Sequence, residues 1–194
     1  MSLSWTGVMP AITTPFTADG DVDHQFLARH ALWMIEAGCT GVVALGSLGE
    51  TATLSVPEKL AVLSTLAQAL GGRVPLVAGI AAGATGWVAG LVNAMPVESV
   101  RLFDLARRAN APDAAPAAQA RARQAADELY RWFLPLLALD TVPKFVQLIK
   151  LVQQRVGHGH ERVRAPRLVL EGAEREDALA LIAEALATRP GNDA

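Results

Sequence analysis

A five-residue stretch, GSLGE at positions 46–50, combines the residue types that binding of a small anion requires. It follows the apolar run 41–46, and ligands of parallel α/β folds bind beyond the carboxyl ends of the strands. A serine hydroxyl and loop N–H groups can bind a carboxylate, and glycines allow close approach of the backbone. The alternative is a tight strand-to-helix turn with a buried glutamate bonded to backbone. The predicted substrate-binding residues are Gly46, Ser47, Leu48, Gly49 and Glu50.

Histidine and cysteine give weaker signals. His158 and His160 stand two residues apart beside glycines, a pattern more typical of a solvated loop than of a metal site. Cys39 is the only cysteine, which excludes an intrachain disulfide and a zinc site built from several cysteines, and predicts a small buried residue. The sequence therefore predicts neither a metal nor a cofactor.

The elements that must position the loop are predicted from apolar runs and capping residues. Asp23 is expected to cap one helix, and Ser55 with Glu58 forms a capping-box pattern at the start of a second. Strand, helix, strand, helix and strand in succession predict a parallel α/β layout over residues 1–95, followed by helices over 96–194 that pack on it. The predicted strands are 8–14, 41–46, 74–79 and 86–92; the predicted helices are 24–37, 55–70, 96–109, 119–138, 143–156 and 171–187.

Composition limits the classes of partner. The chain has 194 residues, a net charge of −2 and no basic footprint for nucleic acid or an anionic membrane surface. The first residues lack the features of a signal peptide, so a cytoplasmic protein is expected. One alternative is a membrane-associated helical protein built on residues 74–97, which are uncharged and long enough to cross a bilayer. Glycines, a central Asn93 and buried-strand character argue against it.

The order of several segments resembles the dihydrodipicolinate synthase/N-acetylneuraminate lyase family, Schiff-base aldolases with a (β/α)8 barrel. The segments are GVMPAITTPFTADGDVD, GCTGVVALGSLGETATLS, VPLVAGIAA, GATGWVAGLVNAMP and the tail from PKFVQLIK to GAERE. The resemblance implies a partial (β/α)8 barrel of about four parallel strands followed by C-terminal helices. It also implies a 2-oxo acid such as pyruvate as ligand and a homo-oligomer as assembly.

The resemblance further implies that about half a barrel is missing between VAGIAA and GATGWVAG. In the family that half carries the relay tyrosine and the lysine that forms the imine. The only tyrosine, Tyr130, is expected to pack in a C-terminal helix, and the three lysines are expected on solvated faces. No catalytic residue is therefore predicted. The lysines are Lys59, Lys144 and Lys150.

Ser47 matches the first of two hydroxyl residues of the family loop, whereas Leu48 replaces the second. This departure weakens carboxylate binding and suits a hydratase, dehydratase or deaminase ancestry. The expected function is a lyase-like protein that is catalytically inactive and binds a 2-oxo acid weakly. The alternative is a non-catalytic binding or oligomerisation module. The half-barrel has open edges, so association or poor solubility is expected.

Overall fold

The structure is a computed structural model that describes residues 6–71 and 86–191. Within these residues the chain forms six α-helices and a two-stranded parallel sheet, an α/β arrangement followed by a helical region. Short 3-10 turns follow the GSLGE loop, the second strand and the fourth helix. The elements are β1 (Gly7–Pro10), α1 (His24–Glu36), α2 (Val56–Leu70), β2 (Gly86–Ala89), α3 (Pro96–Ala109), α4 (Pro116–Ala138), α5 (Phe145–Arg155) and α6 (Gly172–Ala187).

Strand β1 lies between β2 and the segment that leads into the GSLGE loop. It pairs in parallel with β2, with Gly7 opposite Gly86. On its other side Val43 accepts a hydrogen bond from the Ile12 N–H (2.9 Å) and donates one to the Pro10 carbonyl (2.8 Å). The segment 41–46 and β2 therefore lie on the two sides of β1.

The predicted strands are longer than the observed ones. Residues 41–46 make a single parallel bridge, between Ala11 and Val43, because Leu45 takes a left-handed φ of 58° that turns the chain away from β1. The strand predicted over 86–92 ends at Ala89, since the chain coils into a 3-10 turn at Leu91–Asn93. The strand predicted over 74–79 lies outside the described residues.

The helix starts follow the capping residues. The Asp23 carboxylate accepts a hydrogen bond from the Phe26 N–H (2.8 Å) at the start of α1. At the start of α2, Ser55 and Glu58 form the reciprocal capping box. Both caps are as predicted. The bounds of α3 to α6 agree with the predicted helices to within three residues at each end.

Two adjoining apolar clusters form the core. One joins β1 to α1 and α2 and includes Cys39, which is buried as predicted. The other joins α4, α5 and α6 to the turn after β2 and also receives Leu48. Helix α5 is buried along most of its length, so its polar side chains must find partners inside the protein. The boundary predicted near residue 95 remains a prediction.

The described part of the uncharged stretch 74–97 is not one helix: it contains β2, a 3-10 turn and the first residues of α3. Across residues 6–71 and 86–191, no helix is both long and apolar enough to cross a bilayer.

Candidate functional site

The GSLGE loop is a tight turn between the bridge at Val43 and the 3-10 turn that precedes α2. Glu50 has a left-handed φ of 52°, and its N–H donates to the Ser47 carbonyl (3.1 Å). Ser47 is exposed, whereas the three residues after it are buried. Among the five predicted ligand residues, Ser47 is therefore the one whose hydrogen-bonding side chain is exposed to solvent.

The two glycines of the loop have different surroundings. A Cβ added at Gly49 would lie 3.1 Å from the Ile12 carbonyl oxygen, and the Gly49 carbonyl accepts a hydrogen bond from the Thr14 hydroxyl (2.7 Å). Gly49 is thus required where the loop approaches the end of β1. A Cβ added at Gly46 would meet nothing within 4 Å. The absence of a side chain at Gly49 lets the loop backbone pack against the backbone at Ile12. Next to Gly46 there is open space.

Leu48 is 3% exposed and packs into the cluster formed by α4, α5 and α6. Its side chain points into the core, away from the surface where Ser47 is exposed. Leu48 therefore anchors the loop through apolar burial, and only its backbone remains as a candidate for ligand binding.

The buried member of the loop, Glu50, forms an ion pair with Lys150 of α5. The side chains are 0% and 3% exposed, and the Lys150 Nζ to Glu50 Oε1 distance is 2.5 Å. Nζ also donates to the carbonyls of Thr14 and Arg162, both at 2.9 Å. Burial lowers the pKa of Lys150, and the Glu50 carboxylate opposes that shift.

The prediction that Lys150 lies on a solvated face is wrong. Lys150 and the neighbouring Gln147 are both buried, because α5 is covered on this side as well. Gln147 donates to the Leu168 carbonyl (3.0 Å). The sequence did offer one signal for the position of Lys150, the possibility that the loop glutamate is buried. A buried carboxylate requires a cation or several N–H donors.

The second Glu50 oxygen binds the segment that follows α5. Oε2 accepts a hydrogen bond from the Arg164 N–H (3.1 Å). The Arg164 guanidinium forms an ion pair with Glu58 (2.8 Å) and lies 4.5 Å from the centre of the Phe16 ring. Together with backbone bonds from Ser55, Arg164 lowers the pKa of Glu58 to about 2. The basic segment 161–167 therefore packs against the loop.

Two arginines of this segment lack an acidic partner among the described residues. The Arg162 guanidinium donates twice to the Phe16 carbonyl (3.1 and 3.3 Å). The Arg167 guanidinium donates once to the Ser47 carbonyl, at 3.3 Å. Both cations act electrostatically on Lys150. Positive charge thus exceeds negative charge around the exposed end of the loop.

A buried polar network supports the end of β1. Asn93, which is fully buried, accepts a hydrogen bond from the Thr13 N–H (2.9 Å), and the Thr13 hydroxyl donates to Gln153 (3.1 Å). Gln153 in turn contacts His30 at 3.2 Å. Burial lowers the pKa of His30 to about 4, so His30 is neutral at pH 7. This network was not predicted from the sequence, since its members are scattered over four segments of the chain.

A small cavity beside this network measures about 20 Å³, room for about one water molecule. It is lined by aromatic rings, by Lys150 and by residues of the 158–160 loop. His158 stacks on Trp33 with 3.8 Å between ring centres, while His160 lines the cavity. Among residues 6–71 and 86–191, no group of three or more His, Cys, Asp or Glu side chains is arranged to hold a metal ion.

The other two lysines and the tyrosine lie outside the GSLGE loop. Lys144 of the α4–α5 connection pairs with Glu174 and is about half exposed, in agreement with a solvated position. Lys59 is partly exposed on α2. Tyr130 lies on α4, a C-terminal helix, as expected, and its side chain is 46% exposed.

Comparisons with known proteins give a consistent relationship. Residues 4–86 match the model of the dihydrodipicolinate synthetase family. A 4-hydroxy-tetrahydrodipicolinate synthase of Saccharophagus degradans is 40% identical over 79 residues, which cover 41% of this chain and 27% of that protein. The matched stretch thus spans about a quarter of the length of this curated relative.

Solved structures share the fold over nearly the whole chain. A dihydrodipicolinate synthase of Bacillus anthracis superposes with a TM-score of 0.79 and 15% identity, covering 98% of this chain and 100% of that one. The N-acetylneuraminate lyase of Proteus mirabilis gives a TM-score of 0.74 and 16% identity, covering 93% and 98%. Over residues 4–86 the chain thus resembles the dihydrodipicolinate synthetase family, and it shares the fold of these two solved structures.

Proposed function

We propose that this chain binds a small carboxylate, a 2-oxo acid such as pyruvate, at the GSLGE loop without forming an imine with it. Ser47 supplies the exposed hydroxyl, and the loop backbone supplies N–H donors. The chain is then a non-catalytic relative of the Schiff-base lyases. Affinity is weak because Leu48 stands where a second hydroxyl would help and its side chain is buried in the core.

The observation that carries this proposal is the state of the three lysines. Imine formation requires a neutral amine that a carbonyl can reach. Lys150 uses its ammonium group in three hydrogen bonds and is 2% exposed. Lys59 and Lys144 lie on the surface, and Lys144 is held by Glu174. None of the three has the combination of access and activation that the reaction requires.

The pairing of β1 with β2 supports the proposed loss of half a barrel. In the family pattern, the last barrel strand lies beside the first, and here β2 pairs directly with β1 in parallel. The strands that would carry the imine lysine and the relay tyrosine then have no counterpart in this chain. The exposed position of Tyr130 on α4 supports the same conclusion, because a relay group must reach the ligand.

One observation favours a second candidate function, a lyase that uses Lys150. Burial lowers the pKa of Lys150, which is one route to an active amine, and the residue borders a cavity. Against this, the cavity has room for about one water molecule, and the Glu50 carboxylate favours the ammonium form. Trapping of a covalent adduct separates the two candidates.

The binding proposal is tested by titrating the protein with pyruvate, followed by calorimetry and by NMR chemical shifts. We expect weak saturable binding to the unmodified chain and its loss in Ser47→Ala. Ser64→Ala, on the exposed face of α2, is the matched control and should bind like the unmodified chain. Equal binding by Ser47→Ala and the control would mean that the loop is only a turn.

A further inference from the structure

We propose that Arg167 is the cation that recognises the ligand carboxylate beside Ser47. This inference rests on the proposed function and adds to it a charged partner from the segment after α5. Arg167 was not among the residues predicted from the loop sequence. Two hydrogen bonds place it at the loop. A backbone N–H of segment 164–167 donates to a loop carboxylate, and the Arg167 side chain donates to a loop carbonyl.

The first contact is made by the loop to the segment. Glu50 Oε2 accepts the Arg164 N–H at 3.1 Å, and Glu50 is itself held by Lys150. The chain then turns, with the Arg167 N–H donating to the Arg164 carbonyl at 3.1 Å. This turn fixes the backbone of Arg167 relative to the GSLGE loop.

The return contact is made by the side chain of Arg167. Its guanidinium donates to the Ser47 carbonyl at 3.3 Å, which places it next to the one exposed side chain of the loop. A guanidinium has five N–H donors in a planar fork that matches a carboxylate. Only one of them is used in a hydrogen bond to the described residues. The remaining donors and the Ser47 hydroxyl are available for a second partner.

The charges around this point favour an anion. Three nearby basic side chains already have partners. Lys150 and Arg164 form ion pairs with Glu50 and Glu58. The Arg162 guanidinium donates to the Phe16 carbonyl. Arg167 is partly exposed and has no acidic partner in the described chain. A small carboxylate placed between its fork and Ser47 would receive charge-assisted hydrogen bonds, the stronger kind.

The inference is tested by NMR titrations with pyruvate and with its methyl ester, which lacks the charge. For the unmodified chain we expect pyruvate to bind more tightly than the ester. Arg167→Gln should weaken pyruvate binding about tenfold or more and remove the preference over the ester, because a hydrogen bond to a charged group is lost. Arg167→Lys should retain part of the preference. Arg131→Gln, on the exposed face of α4, is the matched control.

The outcomes separate this inference from the proposed function. If Ser47→Ala loses pyruvate binding while Arg167→Gln keeps both affinity and preference, Arg167 is not the recognition group although the loop binds the ligand. If the unmodified chain binds neither compound, both proposals are wrong. Thermal melts show whether the variants fold, and Arg167→Gln should melt like Arg131→Gln because the side chain of Arg167 makes one hydrogen bond to the described residues.

Discussion

At the scale of single residues, the pairing of Glu50 with Lys150 determines what the site is able to do. The pair is buried. Four contacts, the ion pair itself and three hydrogen bonds, connect the loop, the segment after β1 and the segment after α5. A lysine in this setting fixes the loop in place. Because these bonds occupy its ammonium group, we expect Lys150 not to react with a carbonyl ligand.

Removing one partner of this pair should destabilise the protein strongly. Lys150→Met leaves the Glu50 carboxylate buried without its cation, which typically costs about 3–5 kcal/mol. Lys144→Met is the matched control, since its pair with Glu174 is about half exposed and such pairs contribute about 0–1 kcal/mol. Urea unfolding measures both. Equal losses in the two variants would contradict a structural role for Lys150.

We expect the protein to lose stability in mild acid because of the lowered pKa of the buried His30. Its pKa is about 4 in the folded chain and 6.5 as the ordinary value, so the unfolded chain binds the proton first as pH falls. Stability attributable to neutral His30 is complete above about pH 7, is lost as pH falls from 6.5 towards 4, and is lower by about 2 kcal/mol at pH 5.

The measurement compares urea unfolding at pH 7.5 and pH 5 in the unmodified chain and in His30→Phe. The substitution keeps an aromatic ring in contact with Phe26 and Trp33, both of which stack on His30. The variant should lose less stability than the unmodified chain on acidification. If both lose the same amount, His30 is not the group responsible.

At the scale of elements, local signals predict helices better than they predict the strands or the site. Ser55 and Glu58 cap α2 as expected because a capping box is satisfied within four residues. The extent of the strand at 41–46 depended on a left-handed Leu45, which sequence pattern does not show. Lys150 was misplaced because helical periodicity reports one buried face, whereas α5 is covered on more than one side.

Ser55→Ala should destabilise the protein by about 1 kcal/mol, because the α2 N-terminus loses its cap and Glu58 loses a partner. Ser64→Ala, in the middle of the same helix and exposed, should cause no loss. Thermal or urea unfolding gives the comparison. A loss in Ser64→Ala as large as in Ser55→Ala would show that capping is not the reason.

At the scale of the whole molecule, the described chain leaves apolar surface exposed. On α2, Val56, Leu60 and Leu63 are 68%, 63% and 45% exposed and follow one another at helical spacing. The outer edge of β2 has no partner strand among residues 6–71 and 86–191. Such surfaces favour association. The family resemblance could be recognised in the sequence, whereas the extent of these surfaces required the structure.

We therefore expect the protein to self-associate or to be poorly soluble. Sedimentation velocity over a range of concentrations should show species larger than the monomer. Leu60→Gln with Leu63→Gln should shift the distribution towards monomer, whereas Leu168→Gln, 77% exposed on another segment, is the control. A monodisperse monomer with a cooperative melt at high temperature would contradict this expectation.

The central proposal, that this chain forms no imine with pyruvate, is tested most directly by reductive trapping. The protein is incubated with pyruvate and borohydride, and its intact mass is then measured, with peptide mapping of Lys59, Lys144 and Lys150. We predict an unchanged mass, because Lys150 is enclosed by Glu50, Thr14 and Arg162 and the other two lysines are not activated. A stoichiometric adduct on any of the three lysines would contradict the account.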